Sequence, residues 1–218
     1  MRENYTEQLD ELSQQLFAMG ELVEEAIRGT ASALHTFDTK MAQEIIEADS
    51  HVDRKEKEIE SACFHLLLQQ NPMAGDFRQV SAALKMITDL ERVGDHASDI
   101  SEMILLLSES KYEGSMENIE KMSELTAKML SESVNAFVNQ DLEKATLYTQ
   151  KDDEVDQLFL VTKEEIARNV QQHPETAMQE LDLLMIAKYY ERIGDHAENI
   201  AEWVVFSITG EHKKERVI

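Results

Sequence analysis

Cysteine is almost absent from this chain: Cys63 is the only one in 218 residues. That excludes an internal disulfide and any thiolate zinc site built from this chain alone. Proline and glycine are scarce too, at two and seven, so the residues that cut a chain into short strands and tight turns are missing. Basic residues are in deficit. Against 44 Asp and Glu there are 21 Lys and Arg, a formal charge of −23, which repels nucleic-acid phosphates and anionic lipid alike. No nucleic-acid partner is expected, and membrane association is expected only indirectly, through other proteins. Long apolar runs are lacking as well. The longest, MILLL at 103–107 and WVVF at 203–206, fall far short of a bilayer span, and the opening MRENYTEQLDELSQQL has no apolar leader core. The expectation is a soluble, cytoplasmic protein.

What remains is a helical pattern. The hydrophobic fraction of 42% is ordinary for a globular chain, so the acidity sits on a folded scaffold. Apolar residues recur at three- and four-residue spacing, as in Ile45, Ala48, Val52, Ile59, Cys63, Leu66 and in Val80, Leu84, Ile87, Leu90, Ala97, Ile100, Ile104. No long run alternates with period two, so strands are not expected. Turn and capping chemistry marks the breaks: Asp38 and Asp141 as N-caps, Pro72, Gly114 and Pro174. Six long helices follow, with short connections that favour antiparallel neighbours.

The chain also repeats itself. ERVGDHASDI at 91–100 and ERIGDHAENI at 191–200 share seven of ten residues. Asp38 matches Asp141 and ADSHVD at 48–53 matches KDDEVD at 151–156, both at an offset of 103, and QQNP matches QQHP at 102. The expected architecture is therefore all-α: two tandem antiparallel three-helix bundles, over 1–110 and 114–212, with a tail at 213–218.

Within the repeated motif, Glu91, Asp95 and Asp99 share one helix face at i, i+4, i+8, beside the apolar stripe; the second copy carries Glu191, Asp195 and the neutral Asn199. Like charges at that spacing oppose helix formation by a few tenths of a kcal/mol per pair. The preceding helices carry Asp49 with Asp53, and Asp152 with Asp156. In an antiparallel hairpin, equal distance from the turn means equal height. Asp53 and Glu91 each stand 19 residues from Pro72, and Asp49 and Asp95 each stand 23 away. Around Pro174 the distances are 18 and 17 for Asp156 and Glu191, and 22 and 21 for Asp152 and Asp195. One isolated acidic pair is most simply a solvated helix face. Two matched quartets beside a core instead need protonation or bridging cations. Oxygen ligation suits Mg²⁺, Mn²⁺, Fe or Ca²⁺, and Zn²⁺ where a histidine joins. His96 and His196, rotated from the preceding aspartates, are assigned a supporting polar role ahead of direct ligation. Arg92 and Arg192 are assigned first to pairing with carboxylates, with anion binding as the alternative. Gly94 and Gly194, costly inside helices, suggest a close approach.

These residues resemble the PhoU family over essentially the whole chain, through DLERVGDHASDI, YYERIGDHAENIAE, NPMAGDFR, the paired aspartates and the terminal TGEH. The resemblance implies multinuclear metal clusters, of Fe, Mn, Mg or Zn, held at Asp49, Asp53, Glu91, Asp95, Asp152, Asp156, Glu191 and Asp195. It implies a homodimeric, non-enzymatic negative regulator of phosphate uptake and phosphate-starvation signalling. Its partners would be the ATPase of a phosphate ABC transporter and a phosphate-sensing histidine kinase. Two departures stand out: Asp99 replaces the usual Asn, and MQELDLL replaces the DFR-like triplet in the second half. Rival readings are a carboxylate-bridged di-metal hydrolase and a metal-free helical adaptor. No histidine is preceded at three residues by glutamate, the spacing that mixed-ligand oxygen-activating sites use.

Overall fold

The computed structural model describes residues 2–69, 73–109, 114, 116–213 and 215–216. Pro72, where the first hairpin turn is expected, lies outside the described residues, as do Lys214, Val217 and Ile218 of the expected tail. Seven helices account for nearly all of the rest: α1 Arg2–Thr36, α2 Thr39–Gln69, α3 Ala74–Ser108, α4 Glu117–Asn139, α5 Leu142–Tyr148, α6 Asp152–Gln172 and α7 Ala177–Thr209. The fold is all-α and built as two tandem bundles, α1 to α3 and α4 to α7, the second a three-helix bundle whose middle helix is divided into α5 and α6. No helix among the described residues is long and apolar enough to cross a membrane.

The repeat is written into the backbone as well as the side chains. α1 and α4 each end on a residue of positive φ, Phe37 and Gln140, both at 51°. The aspartate that follows starts the next helix. Asp38 Oδ1 accepts from the amides of Lys40 and Met41 at 3.0 Å each, and Asp141 Oδ1 accepts from the amide of Lys144 at 2.9 Å. These caps satisfy amide donors that the first helical turn leaves unpaired.

Two local features depart from the sequence expectation. The fifth helix comes in two pieces: α5 has seven residues, and α6 begins at Asp152 after a turn. α2 runs unbroken through the same repeat position. Asp152, Asp153 and Glu154 open α6, where the helix dipole favours negative charge; their counterparts in α2 are Asp49, Ser50 and His51, with a single carboxylate. The second departure is a two-residue antiparallel pairing of Glu211–His212 with Glu215–Arg216. α7 stops at Gly210 (φ 82°), Lys213 turns the chain back at φ 49°, and His212 stacks on Trp203 at 3.9 Å.

α3 and α7 pack side by side at the centre, while α1 packs on α4. Buried apolar residues from both halves form one continuous core, including Leu16, Met19 and Ile27 of α1, Ile87, Leu90 and Ile100 of α3, and Ile186, Ile193 and Ile200 of α7. Cys63 belongs to it, its thiol pushed up to about 12 first by burial. The stripe on α2 is looser than the sequence suggests: Ala48 is exposed and Ile45 half-buried. A cavity of about 440 Å³ opens there between α1 and α2, reaching Asp49 and Gly94.

Tyr190 of α7 is wholly buried, and its hydroxyl hydrogen-bonds Thr30 Oγ1 of α1 at 2.8 Å, joining the second half to the first. Burial pushes the phenol up to about 12, so it stays protonated at neutral pH. Tyr190→Phe removes the hydroxyl that bonds Thr30 and interacts with Ser123 while keeping the ring. The expected loss is about 1 kcal/mol or somewhat more, seen as a fall in melting temperature of at least roughly 2–4 °C; an unchanged melting temperature would show that the hydroxyl contributes nothing.

Candidate metal centre

In the first half, α2 offers Asp49 and Asp53 one turn apart, and α3 offers Glu91 and Asp95 in the antiparallel direction. One oxygen each from Asp49, Asp53 and Asp95 lies within 4.8 Å of the others. Glu91 is one turn from Asp95 and close to Asp53 and Glu56; burial first, then Asp95, raises it, with Arg92 opposing. Gly94 makes the approach of the two helices possible. A Cβ there would lie 3.0 Å from Asp49 Oδ1 and 3.2 Å from Val52 Cγ1. The same closeness leaves Asp49 Oδ1 buried with no hydrogen-bond partner. Burial, followed by repulsion from Asp95, Asp53 and Asp99, pushes Asp49 up to about 6.

The second half repeats the close helix approach and the inward aspartate oxygen but, among the described residues, not the convergence of three carboxylates. Asp152 is 9% exposed, and its Oδ1 has no hydrogen-bond partner. Burial, then Asp195, Asp156, Glu198 and Glu191, push it up to about 7. A Cβ at Gly194 would lie 2.5 Å from that oxygen and 3.3 Å from Val155 Cγ1. Asp156 is raised by burial and then by Glu191, with Lys188 opposing. Asp195 is exposed. No carboxylate trio as tight as that of Asp49, Asp53 and Asp95 occurs here among the described residues. The Lys188 ammonium instead pairs with Glu191 and stands 5.2 Å over the ring of Phe159.

The motif histidines point elsewhere. His196 Nδ1 meets Asp89 Oδ1 at 2.8 Å, across from α7 to α3, and His96 Nδ1 lies 3.4 Å from Asp99. The two imidazoles face each other at 5.7 Å, and His96 lies 5.5 Å from the ring of Tyr189, the repeat counterpart of Asp89. They form a seam between the halves. Burial lowers His96 most, leaving it neutral at pH 7. Arg92 reaches Asp95 at 2.9 Å and Glu91 at 3.5 Å from the surface, whereas Arg192 is exposed and Asn199 half-buried. Sequence reasoning did not single out Asp89, Glu198, Lys188 or Phe159. Aligning the halves position by position exposes the last two, since Thr88 and Glu56 stand at their first-half counterparts.

What the arrangement can do chemically follows from its donors. Both quartets are all-oxygen, both place one unpartnered oxygen out of water, and neither quartet contains a histidine. That donor set fits hard or intermediate divalent cations.

A profile of the PhoU domain matches the chain twice, over residues 16–104 and 119–204. The phosphate-specific transport system accessory protein PhoU homolog of Clostridium acetobutylicum is 34% identical over 210 residues, covering 96% of each chain. The homolog from Aquifex aeolicus is 36% identical, over 85% of this chain and 84% of its own. Among solved structures, PhoU from Pseudomonas aeruginosa superposes with a TM-score of 0.90 at 29% identity, over 95% of this chain and all of that one. The phosphate transport system regulatory protein PhoU from Streptococcus pneumoniae gives 0.89 at 31% identity, over 95% and 98%.

In the metal-free protein, Asp49 and Asp152 at about 6 and 7 lie above the ordinary 3.8. The folded chain then holds protons that the unfolded chain releases, so stability is full below about pH 4 for these groups and declines through about pH 7. The groups facing Asp49 are Asp53, Asp95 and Asp99; those facing Asp152 are Asp156, Glu191, Asp195 and Glu198, with Lys188 nearby. Chelator-treated protein should melt at a lower temperature at pH 8 than at pH 6. A profile flat across that interval would contradict the assignment.

Proposed function

The chain belongs to the PhoU family, and from that premise we propose that it is a metal-binding regulatory protein of phosphate homeostasis. Relatives carry the name of accessory proteins of the phosphate-specific transport system, which fits a role in regulating phosphate supply. In this reading the protein has no catalytic activity of its own. It restrains phosphate uptake and the starvation response by docking onto the ATPase of a phosphate ABC transporter and onto a phosphate-sensing histidine kinase. It works in the cytoplasm as a homodimer and meets the membrane only through those partners. The absence of a membrane-crossing helix among the described residues is compatible with this.

The carboxylates of Asp49, Asp53, Glu91 and Asp95 hold one metal cluster, and those of Asp152, Asp156, Glu191 and Asp195 hold the other. The metal is Fe, Mn, Mg or Zn. Charge neutralisation is what the ions supply there; the chain contributes preorganised oxygens on helices that Gly94 and Gly194 allow to close. Asp99 and Asn199 extend the two faces, while His96, His196, Arg92 and Arg192 act around them. Each cluster belongs to one repeat, 1–110 or 114–212, with 213–218 as a tail. The observation that carries the metal assignment is the pair of buried aspartate oxygens without partners, one at the same repeat position in each half.

Deletion of the gene should raise phosphate uptake and phosphate-starvation gene expression in phosphate-replete cells, and the wild-type chain should restore repression. The double variant Asp95→Asn with Asp195→Asn should fold, yet fail to restore it. Equal repression by that variant would separate the regulatory role from the carboxylates, and an unchanged deletion strain would remove the regulatory role itself.

A further inference from the structure

The two carboxylate sites are built from the same template, but their surroundings differ, at Asp99 against Asn199, at Ser98 against Glu198 and at two further positions nearby. In the first half these are Glu56 on α2 and Thr88 on α3; in the second they are Phe159 on α6 and Lys188 on α7. Glu56 lies near Asp53 and Glu91, adding to their mutual repulsion. Thr88 is turned to solvent, its hydroxyl bonded to the carbonyl of Leu84.

In the second half the substitutions form a clamp. The ammonium of Lys188 stands over the ring of Phe159, 5.2 Å from its centroid, a placement that favours a cation over an aromatic ring. The ammonium pairs with Glu191, whose side chain is only 13% exposed. It is also near enough to offset part of the repulsion felt at Asp156 and Asp195. The first site has a cation of a different kind. Arg92 is 56% exposed and reaches Asp95 and Glu91 from the rim, where an ion pair contributes little, and Asp49, Asp53 and Asp95 still converge behind it. The remaining negative charge of the second site is displaced the other way along the helices, toward Asp152, Asp153 and Glu198.

We propose that Lys188 is a built-in cation of the second site: its ammonium, backed by Phe159, takes the place at Glu191 and Asp156 that a divalent cation takes in the first site. The chain therefore loads its two sites unequally. The first fills at lower metal concentration, and the second holds fewer ions, near Asp152 and Asp195. This rests on the metal-binding reading above. Lys188 sets the loading by occupying ligands, since a +1 ammonium at Glu191 both blocks an oxygen and repels an arriving +2 ion.

The test uses Mn²⁺ binding to the full-length, chelator-treated protein, read by titration calorimetry and native mass spectrometry. In a background with the first site disabled by Asp49→Asn and Asp95→Asn, adding Lys188→Met should tighten Mn²⁺ binding at the second site at least about tenfold, or add one bound ion. Lys188→Arg, which keeps the charge, should leave it within a factor of about three. In the reciprocal background, Asp152→Asn with Asp195→Asn, the pair Glu56→Phe and Thr88→Lys should weaken the first site by a similar factor. Circular dichroism confirms that each variant is folded. Second-site binding that is the same with lysine, arginine and methionine overturns the proposal while leaving metal binding intact. Mn²⁺ that binds none of the proteins, wild type included, overturns the metal reading and this proposal together.

Discussion

Everything distinctive about this molecule depends on holding carboxylates together at the edge of a core, against their repulsion and their loss of water. Asp49 and Asp152 each turn one oxygen inward, where nothing donates to it. An isolated buried carboxylate is costly enough that a folded chain ordinarily neutralises it or pairs it. Gly94 and Gly194 aggravate the crowding by removing the side chain that would keep the helices apart. A sequence that only needed a solvated helix face would gain from alanine at both glycines, with about 1 kcal/mol less strain on the helix. The cost is accepted twice, at matched heights, and the proposed cations rest on that repetition.

The duplication then has a mechanical consequence. α3 and α7, the helices that carry the repeated motif, pack against each other, so the carboxylates face outward toward α2 and α6 while the histidines meet at the seam. His196 reaches Asp89 in the other half, and Tyr190 reaches Thr30. Neighbouring residues of one short motif thus serve two surfaces: Asp95 and Asp195 their own bundle, His96 and His196 the junction between bundles. A change of charge at either quartet is one residue away from the contact that joins the halves.

Much of this was legible from the chain itself. Helical periodicity, scarce Pro and Gly, and the two aspartate caps define an all-α duplicated bundle, and the caps sit where expected. Counting residues from Pro72 and Pro174 pairs Asp49 with Asp95 and Asp152 with Asp195. After burial, Asp95 is the largest influence raising Asp49, and Asp195 the largest raising Asp152. What stayed illegible depends on tertiary neighbours or on local charge balance. Periodicity gives a residue's azimuth on its own helix and not which helix it meets, so the seam partners Asp89 and Tyr189 could not be read. The division of the fifth helix falls just before three adjacent acids at Asp152, Asp153 and Glu154, a local charge pattern that a long apolar stripe masks. Ala48 looked like core and is exposed because a cavity opens beside it.

The central claim is that the inward aspartates are a liability to the bare chain and an asset once a cation is present. Thermal unfolding of wild type and of Asp49→Asn with Asp152→Asn, each with chelator and with excess Mn²⁺ at pH 8, tests it directly. The account predicts a reversal of sign: the variant melts higher than wild type in chelator and lower in Mn²⁺. A variant that is less stable than wild type in chelator, or that gains as much from Mn²⁺, would contradict it.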